Sequence, residues 1–170
     1  RDSLLFISGR LDVTPFGPAD KVTTRGDGLV TSVKSERGRR RSIYVLQRRS
    51  QIPTILENFD LPRMSPNCIQ RPISTVAPQA LHLMNNGLVH ELGEHLAARV
   101  MREAGTDRER QISQVYLIVL NRKPTPEEQV AARNALEELT AHWKNTLSSS
   151  DDAGQSRAQQ KALTNYCHAL

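Results

Sequence analysis

From Thr75 to the end of the chain, apolar residues return every three or four positions, whereas before Thr75 they do not. A 3.6-residue repeat gathers its apolar side chains on one helix face, so the contrast predicts a helical part preceded by a strand-and-loop part. Ser74 or Thr75 can cap a first helix near 76–85, whose apolar face runs Ala77, Ala80, Leu81, Met84 and on to Leu88. Asn85-Asn86-Gly87 breaks it, and a second helix near 88–104 carries Val89, Leu92, Leu96 and Val100 inward until Gly105. Asp107 caps a third, near 108–121, with Ile112, Val115, Tyr116 and Val119 inward. Thr125 as cap, Pro126 at the first helical position and Glu128 three residues on form a capping box for a fourth, near 126–147. That helix is expected to bury Ala132, Leu136, Leu139, Trp143 and Leu147. Ser148–Arg157 reads as a flexible polar linker, and a fifth helix near 157–170 carries Leu163, Tyr166, Cys167 and Leu170.

The N-terminal part is built differently. Arg1–Gly9 reads as the last turns of a helix with a glycine C-cap, so the chain is expected to be a piece of a longer protein. Residues 29–33 and 42–47 alternate as strands do and make at most a short hairpin. Pro53 suits the first turn of a short helix over Thr54–Phe59, and Pro62, Pro66, Asn67 and Pro72 then punctuate a loop. The expected fold is mainly α, a bundle of about five helices with a small strand-and-loop N-terminal cap. Residues 1–75 form that cap and 76–170 the bundle, packed together as one structural domain.

Composition agrees with a helical core. At 170 residues the chain is 38% hydrophobic but only 4% aromatic, leaving Leu, Val, Ile and Ala to fill the interior. Its net charge of +5 is uneven: residues 1–75 hold 13 Lys/Arg against 7 Asp/Glu, and 76–170 hold 10 against 11. The basic character belongs to the N-terminal part. No apolar run approaches the roughly 18 residues of a membrane span. Cys68 and Cys167 are too far apart for a metal knuckle, and spacing leaves open whether they pair.

Three constellations invite chemistry. His90 and His95 resemble a zinc-protease pair, but they lie five apart and are turned about 140° from each other on a helix, so no metal site is expected. Asp60, Asn67, Cys68, Arg71, Gln79 and His82 concentrate carboxylate, thiol, guanidinium, amide and imidazole groups around one loop. Asp60 and Arg71 are the natural charge pair across it. No orienting group or oxyanion site completes a Cys–His catalyst, so catalytic residues stay unassigned. The basic cluster Arg37, Arg39, Arg40, Arg41, Arg48 and Arg49 is dense enough to meet phosphates, but no exposed aromatics interleave it. Weak, non-specific polyanion binding is the expectation, with no specific nucleic acid.

One resemblance gathers these segments. Arg40-Arg41-Ser42-Ile43-Tyr44-Val45, Arg48-Arg49, Phe59-Asp60 with Pro62, Asn67-Cys68, Arg71, Ser74–Leu81 and Leu83-Met84-Asn85 resemble the C-terminal domain of unknown function of large planctomycete proteins. Arg122–Glu128 and Asn165–Leu170 fit that family's closing helices, while Ser148–Arg157 departs from it as an insertion. The resemblance implies an extracytoplasmic module of a larger protein, with haem held by a separate planctomycete cytochrome C domain and no cofactor in this segment. It supplies no reaction. A non-catalytic interaction or scaffolding module, docking on upstream domains of its parent chain or on extracellular polymer, leads. The alternative is part of an enzyme, with Asp60, Cys68, Arg71 and His82 lining a pocket that an upstream domain completes.

Overall fold

The structure, a computed structural model, describes residues 1–34, 39–62, 74–147 and 152–170. It is mainly α, and the chain divides into two compact units. The first comprises Arg1–Phe6 with Arg10–Asn86, and the second Ile7–Gly9 with Gly87–Leu170.

The first unit contains α1 (Asp2–Ile7) except its last residue, β1 (Leu11–Asp12), β2 (Val22–Thr24), β3 (Val30–Ser32), β4 (Arg39–Arg40), α2 (Thr54–Asn58) and α3 (Ala77–Asn85). β2 and β3 form an antiparallel hairpin, Thr23 opposite Thr31. Gly28, at φ +85°, and the Asp27 carboxylate on the Leu29 N–H (3.1 Å) shape its turn. β1 pairs with β4 in parallel. The expected partner of residues 29–33 was 42–47, and here the structure corrects the reading. Ser42–Tyr44 is a single 3-10 turn, followed by an isolated parallel bridge from Val45 to Asp20. The Ser42 N–H is instead taken by the carboxylate of Asp2, 40 positions away (2.9 and 3.0 Å), which removes it from any ladder. Leu5, Val30, Val45, Pro53 and Ile55 are buried, and the Val30 N–H donates to Thr54 Oγ1 (2.9 Å), fixing β3 to α2.

The second unit contains α4 (Gly87–Ala104), α5 (Arg108–Leu120), α6 (Pro126–Leu147) and α7 (Asp152–Ala169). Its core joins Leu96, Ala97, Val100, Ile112, Val115, Tyr116, Ala132, Leu136, Leu163, Tyr166 and Cys167. α7 packs on both α4 and α6. Gly154, Ala158 and Ala162 are buried along α7, and a Cβ on Gly93 of α4 would meet His168 Cβ at 3.6 Å, an ordinary contact. The same stripe explains a second correction. Residues 152–157, expected in a linker, are the first turns of α7, because Gly154 begins the buried row. Leu170, expected on that row, is exposed, and Ser148–Asp151 lie outside the described residues.

Trp143 is corrected too. It is half-buried rather than a core residue, with Lys161 Nζ 5.4 Å above its ring and no acceptor for its indole N–H among the described residues. Cys167 is a free, buried thiol, its pKa pushed up to about 12 by burial; Cys68 lies outside the described residues.

α3 belongs to the first compact unit, which ends at Asn86.

Helix ends follow the sequence closely in the second unit. Gly105 (φ +67°) and Asn121 (φ +54°) end α4 and α5 in the left-handed region, and the Asp107 carboxylate accepts from the Glu109 N–H (3.0 Å). At α6 the capping box is reciprocal: Glu128 N–H donates to Thr125 Oγ1 (3.2 Å) and Thr125 N–H to Glu128 Oε2 (2.8 Å). Arg122 grips the same carboxylate through two nitrogens (2.7 and 2.6 Å). Those Arg122 hydrogen bonds, with that of Thr125, hold the Glu128 pKa at about 2, below its ordinary 4.5. A depressed carboxylate contributes stability above its unfolded pKa and loses it as pH falls toward the folded value. The melting temperature should therefore decline between pH 4.5 and about 2. Glu128→Gln should flatten that decline in a pH series of thermal melts, and Thr125→Ala should cost about 1 kcal/mol at neutral pH.

Candidate functional site

The loop after α2 is closed at its base by side chains. Asp60 has φ +56°, a left-handed turn that reverses the chain as α2 ends. Its two carboxylate oxygens accept from the Ser74 N–H (2.8 Å) and the Ser74 hydroxyl (2.8 and 3.0 Å). Charged acceptors make the stronger hydrogen bonds, so residues 60 and 74 are clamped together. Gln79, in the first turn of α3, completes the clamp. Its Nε2 donates to the Asn58 carbonyl (2.9 Å), the Ser74 carbonyl (3.2 Å) and Ser74 Oγ (3.3 Å), while its Oε1 accepts from the Val76 N–H (3.3 Å). α2, the loop base and the start of α3 are thereby tied at one point.

This arrangement changes one expectation. Ser74 does not cap α3, because its hydroxyl is committed to Asp60; Val76 is the cap residue, without a side-chain cap bond of its own. Asp60 binds Ser74, and the expected Asp60–Arg71 pair falls on Arg71, which lies outside the described residues with Asn67 and Cys68. His82, three residues beyond Gln79, accepts at Nε2 from the Asn86 side-chain amide (2.9 Å). Burial lowers its pKa from 6.5, which keeps the imidazole neutral at neutral pH. Asn86 is itself buried and caps the end of α3 through its N–H on the His82 carbonyl (3.0 Å).

Above the clamp, α3 is apolar toward solvent. Leu81 is 57% and Met84 63% exposed, and Val76, Ala77 and Ala80 are exposed as well. The face expected to enter the bundle is exposed at these positions.

The basic cluster does not form one patch. Arg39 Nη1 donates to the Ser32 carbonyl (2.7 Å). Arg40 binds Asp20 through Nε (2.9 Å) and Nη2 (2.7 Å), donates to the carbonyls of Phe16 and Pro18, and stacks on Tyr44. Its hydrogen bonds to Asp20 raise its pKa further. Arg41, Arg48 and Arg49 are exposed, and Arg37 lies outside the described residues. The arginine that sequence reasoning missed is Arg1, a buried hub of the first unit, since a terminal Arg-Asp pair carries no periodic signal. Elsewhere, His90 stacks on His168 at 4.0 Å between ring centroids, and His95 sits 3.9 Å from Glu91. Among the described residues no three metal-ligating side chains converge.

The family of proteins of unknown function designated PSD1, or DUF1553, matches residues 1–136. The chain belongs to the PSD1 family. The match takes in the whole clamp and the Arg40 contacts and ends within α6. No curated protein and no solved structure matches this PSD1 chain.

The clamp makes a checkable claim. Asp60→Ala should lower unfolding free energy by about 2 kcal/mol, because it strands the Ser74 donors and puts alanine in a left-handed conformation. Asp60→Asn, which tolerates that conformation and keeps one acceptor, should lose less. Urea denaturation of both variants measures the difference; equal losses would contradict the clamp.

Proposed function

We propose that this PSD1 domain is a non-catalytic interaction module of a larger extracytoplasmic protein, docking on upstream domains of its own parent chain through the open face of α3. The observation that carries the reading is a rigid helix start beneath exposed Leu81 and Met84. Apolar side chains of that size, held on an ordered helix, gain most by being covered. The clamp removes the entropy that a mobile surface would lose on binding, which favours association. The larger parent and the extracytoplasmic setting rest on the family resemblance. In this reading haem belongs to another domain, and extracellular polymer is the second partner class. An enzyme pocket is less well supported, because both Asp60 oxygens are already engaged by Ser74.

The test is association with the upstream segment of the parent chain supplied in trans, followed by calorimetry. The double variant Leu81→Ser, Met84→Ser should bind at least tenfold more weakly, about 1.4 kcal/mol, with unchanged thermal melting. Undiminished binding by that variant removes α3 as the docking face.

A further inference from the structure

α3 is nine residues long, and none of its residues is buried. A helix that short is marginal by itself, so the bonds at its two ends carry much of its order. Gln79 supplies those at the start. At the other end one pair of residues is joined twice. The Asn86 N–H closes on the His82 carbonyl (3.0 Å), and the Asn86 side-chain amide donates to His82 Nε2 (2.9 Å). Asn86 has left the helical conformation (φ −82°, ψ 121°) and is buried, so α3 stops on a polar group that needs its partner. His82 is half-buried, within reach of solvent protons.

The side-chain bond holds only for a neutral ring. Nε2 accepts while the imidazole proton sits on Nδ1, whereas a protonated ring has only N–H donors and would face the amide with another. A helix C-terminus ordinarily favours the protonated form. Burial overrides that here and lowers the His82 pKa from 6.5. Among the described residues no charge contributes to the shift. α2 packs on α3 and brings Glu57, which is exposed, and Asp60 follows α2 with both oxygens on Ser74. α3 itself holds no Asp, Glu, Lys or Arg, and neither do Gly87, Leu88 and Val89 after it. We infer that His82 and Asn86 form an acid-released latch on the end of α3, closed at neutral pH and opened by protonation of the imidazole. Its consequence for docking rests on the proposed role of α3, whereas the latch itself belongs to the chain alone. The folded chain binds fewer protons at His82 than the unfolded chain does. Stability from the latch is therefore full above 6.5 and is lost as the pH falls through the lower, folded value.

The experiment is histidine NMR and amide hydrogen exchange on the full chain between about pH 7.5 and about pH 5. At the upper pH the His82 proton should sit on Nδ1, and its titration midpoint should lie below 6.5. Protection of the Asn86 N–H, corrected for the intrinsic pH dependence of exchange, should fall roughly tenfold as His82 titrates. His82→Gln, whose side-chain oxygen accepts at any pH, should hold that protection constant. Asn86→Asp should move the His82 midpoint above 6.5, since a carboxylate accepts from the protonated ring. Binding of the parent's upstream segment should weaken at the lower pH for the unsubstituted chain and not for His82→Gln. A proton on Nε2 at the upper pH overturns the latch, because the amide oxygen would then face the ring. So does Asn86 protection that ignores the titration, or that falls equally in His82→Gln. Absence of binding at the upper pH counts against α3 as the docking face and leaves hydrogen exchange to decide the latch.

Discussion

A buried guanidinium is what the first unit is assembled around. Its strands are two or three residues long, and such short ladders cannot hold themselves in register by backbone pairing alone. Arg1, with 2% of its side chain exposed, supplies the missing order. Its Nη1 donates to Asp2 Oδ1 (3.2 Å), the Arg40 carbonyl (2.9 Å) and Ser42 Oγ (3.2 Å), and its Nη2 to Ser32 Oγ (3.0 Å). One rigid fork thereby joins α1, β3, β4 and the Ser42 turn. Burial draws the Arg1 pKa down from its ordinary value, but an arginine remains charged well beyond that. Burial also works to raise the Asp2 pKa, and the two Ser42 hydrogen bonds with the Arg1 charge outweigh it, leaving the carboxylate lowered and ionised.

A buried ion pair of this kind is weak evidence for net stability, because desolvation offsets much of the attraction. Its use here is positional. Once Ser42 is drawn to Asp2, Arg40 faces Asp20, and Asp20 bridges Val45 through its neighbours: Asp20 N–H on the Tyr44 carbonyl (2.7 Å) and Leu46 N–H on the Asp20 carbonyl (2.9 Å). Each contact fixes the next. Removing Asp2 would leave the buried Arg1 charge without its ion partner, so a substitution there should be costly.

That difference decides how far each part could be read in advance. Four helices of the second unit were legible because periodicity and caps are local signals: Asp107, Thr125-Pro126 and the row Val89, Leu92, Leu96, Val100 all behave as their spacing implies. The start of α7 was missed because Gly and Ser in a polar stretch resemble a linker, while a glycine can equally serve close helix packing. The first unit was read poorly, since its hydrogen bonds join residues 31 to 41 positions apart. At the loop, Asp60 and Gln79 were recognisable as chemistry-bearing residues, but Ser74 looked like a helix cap until the fold placed a carboxylate beside it. In the basic cluster, a run of arginines could not reveal which of them a carbonyl or an aspartate would consume.

Periodicity also says which side of a helix is apolar without saying what covers it. α3 and α4 show the point with neighbouring segments of one chain. Val89, Leu92 and Leu96 on α4 are buried, while Leu81 and Met84 on α3, read by the same rule, face solvent. The two faces do not differ in kind. The difference lies in the elements available to each unit: α7 packs against α4, and the Leu81 and Met84 side chains of α3 stay exposed. Gln79 holds the first turn of α3 by side-chain bonds, so that turn does not rest on Leu81 and Met84 alone. The exposed apolar side chains on that helix are what the proposed docking role draws on.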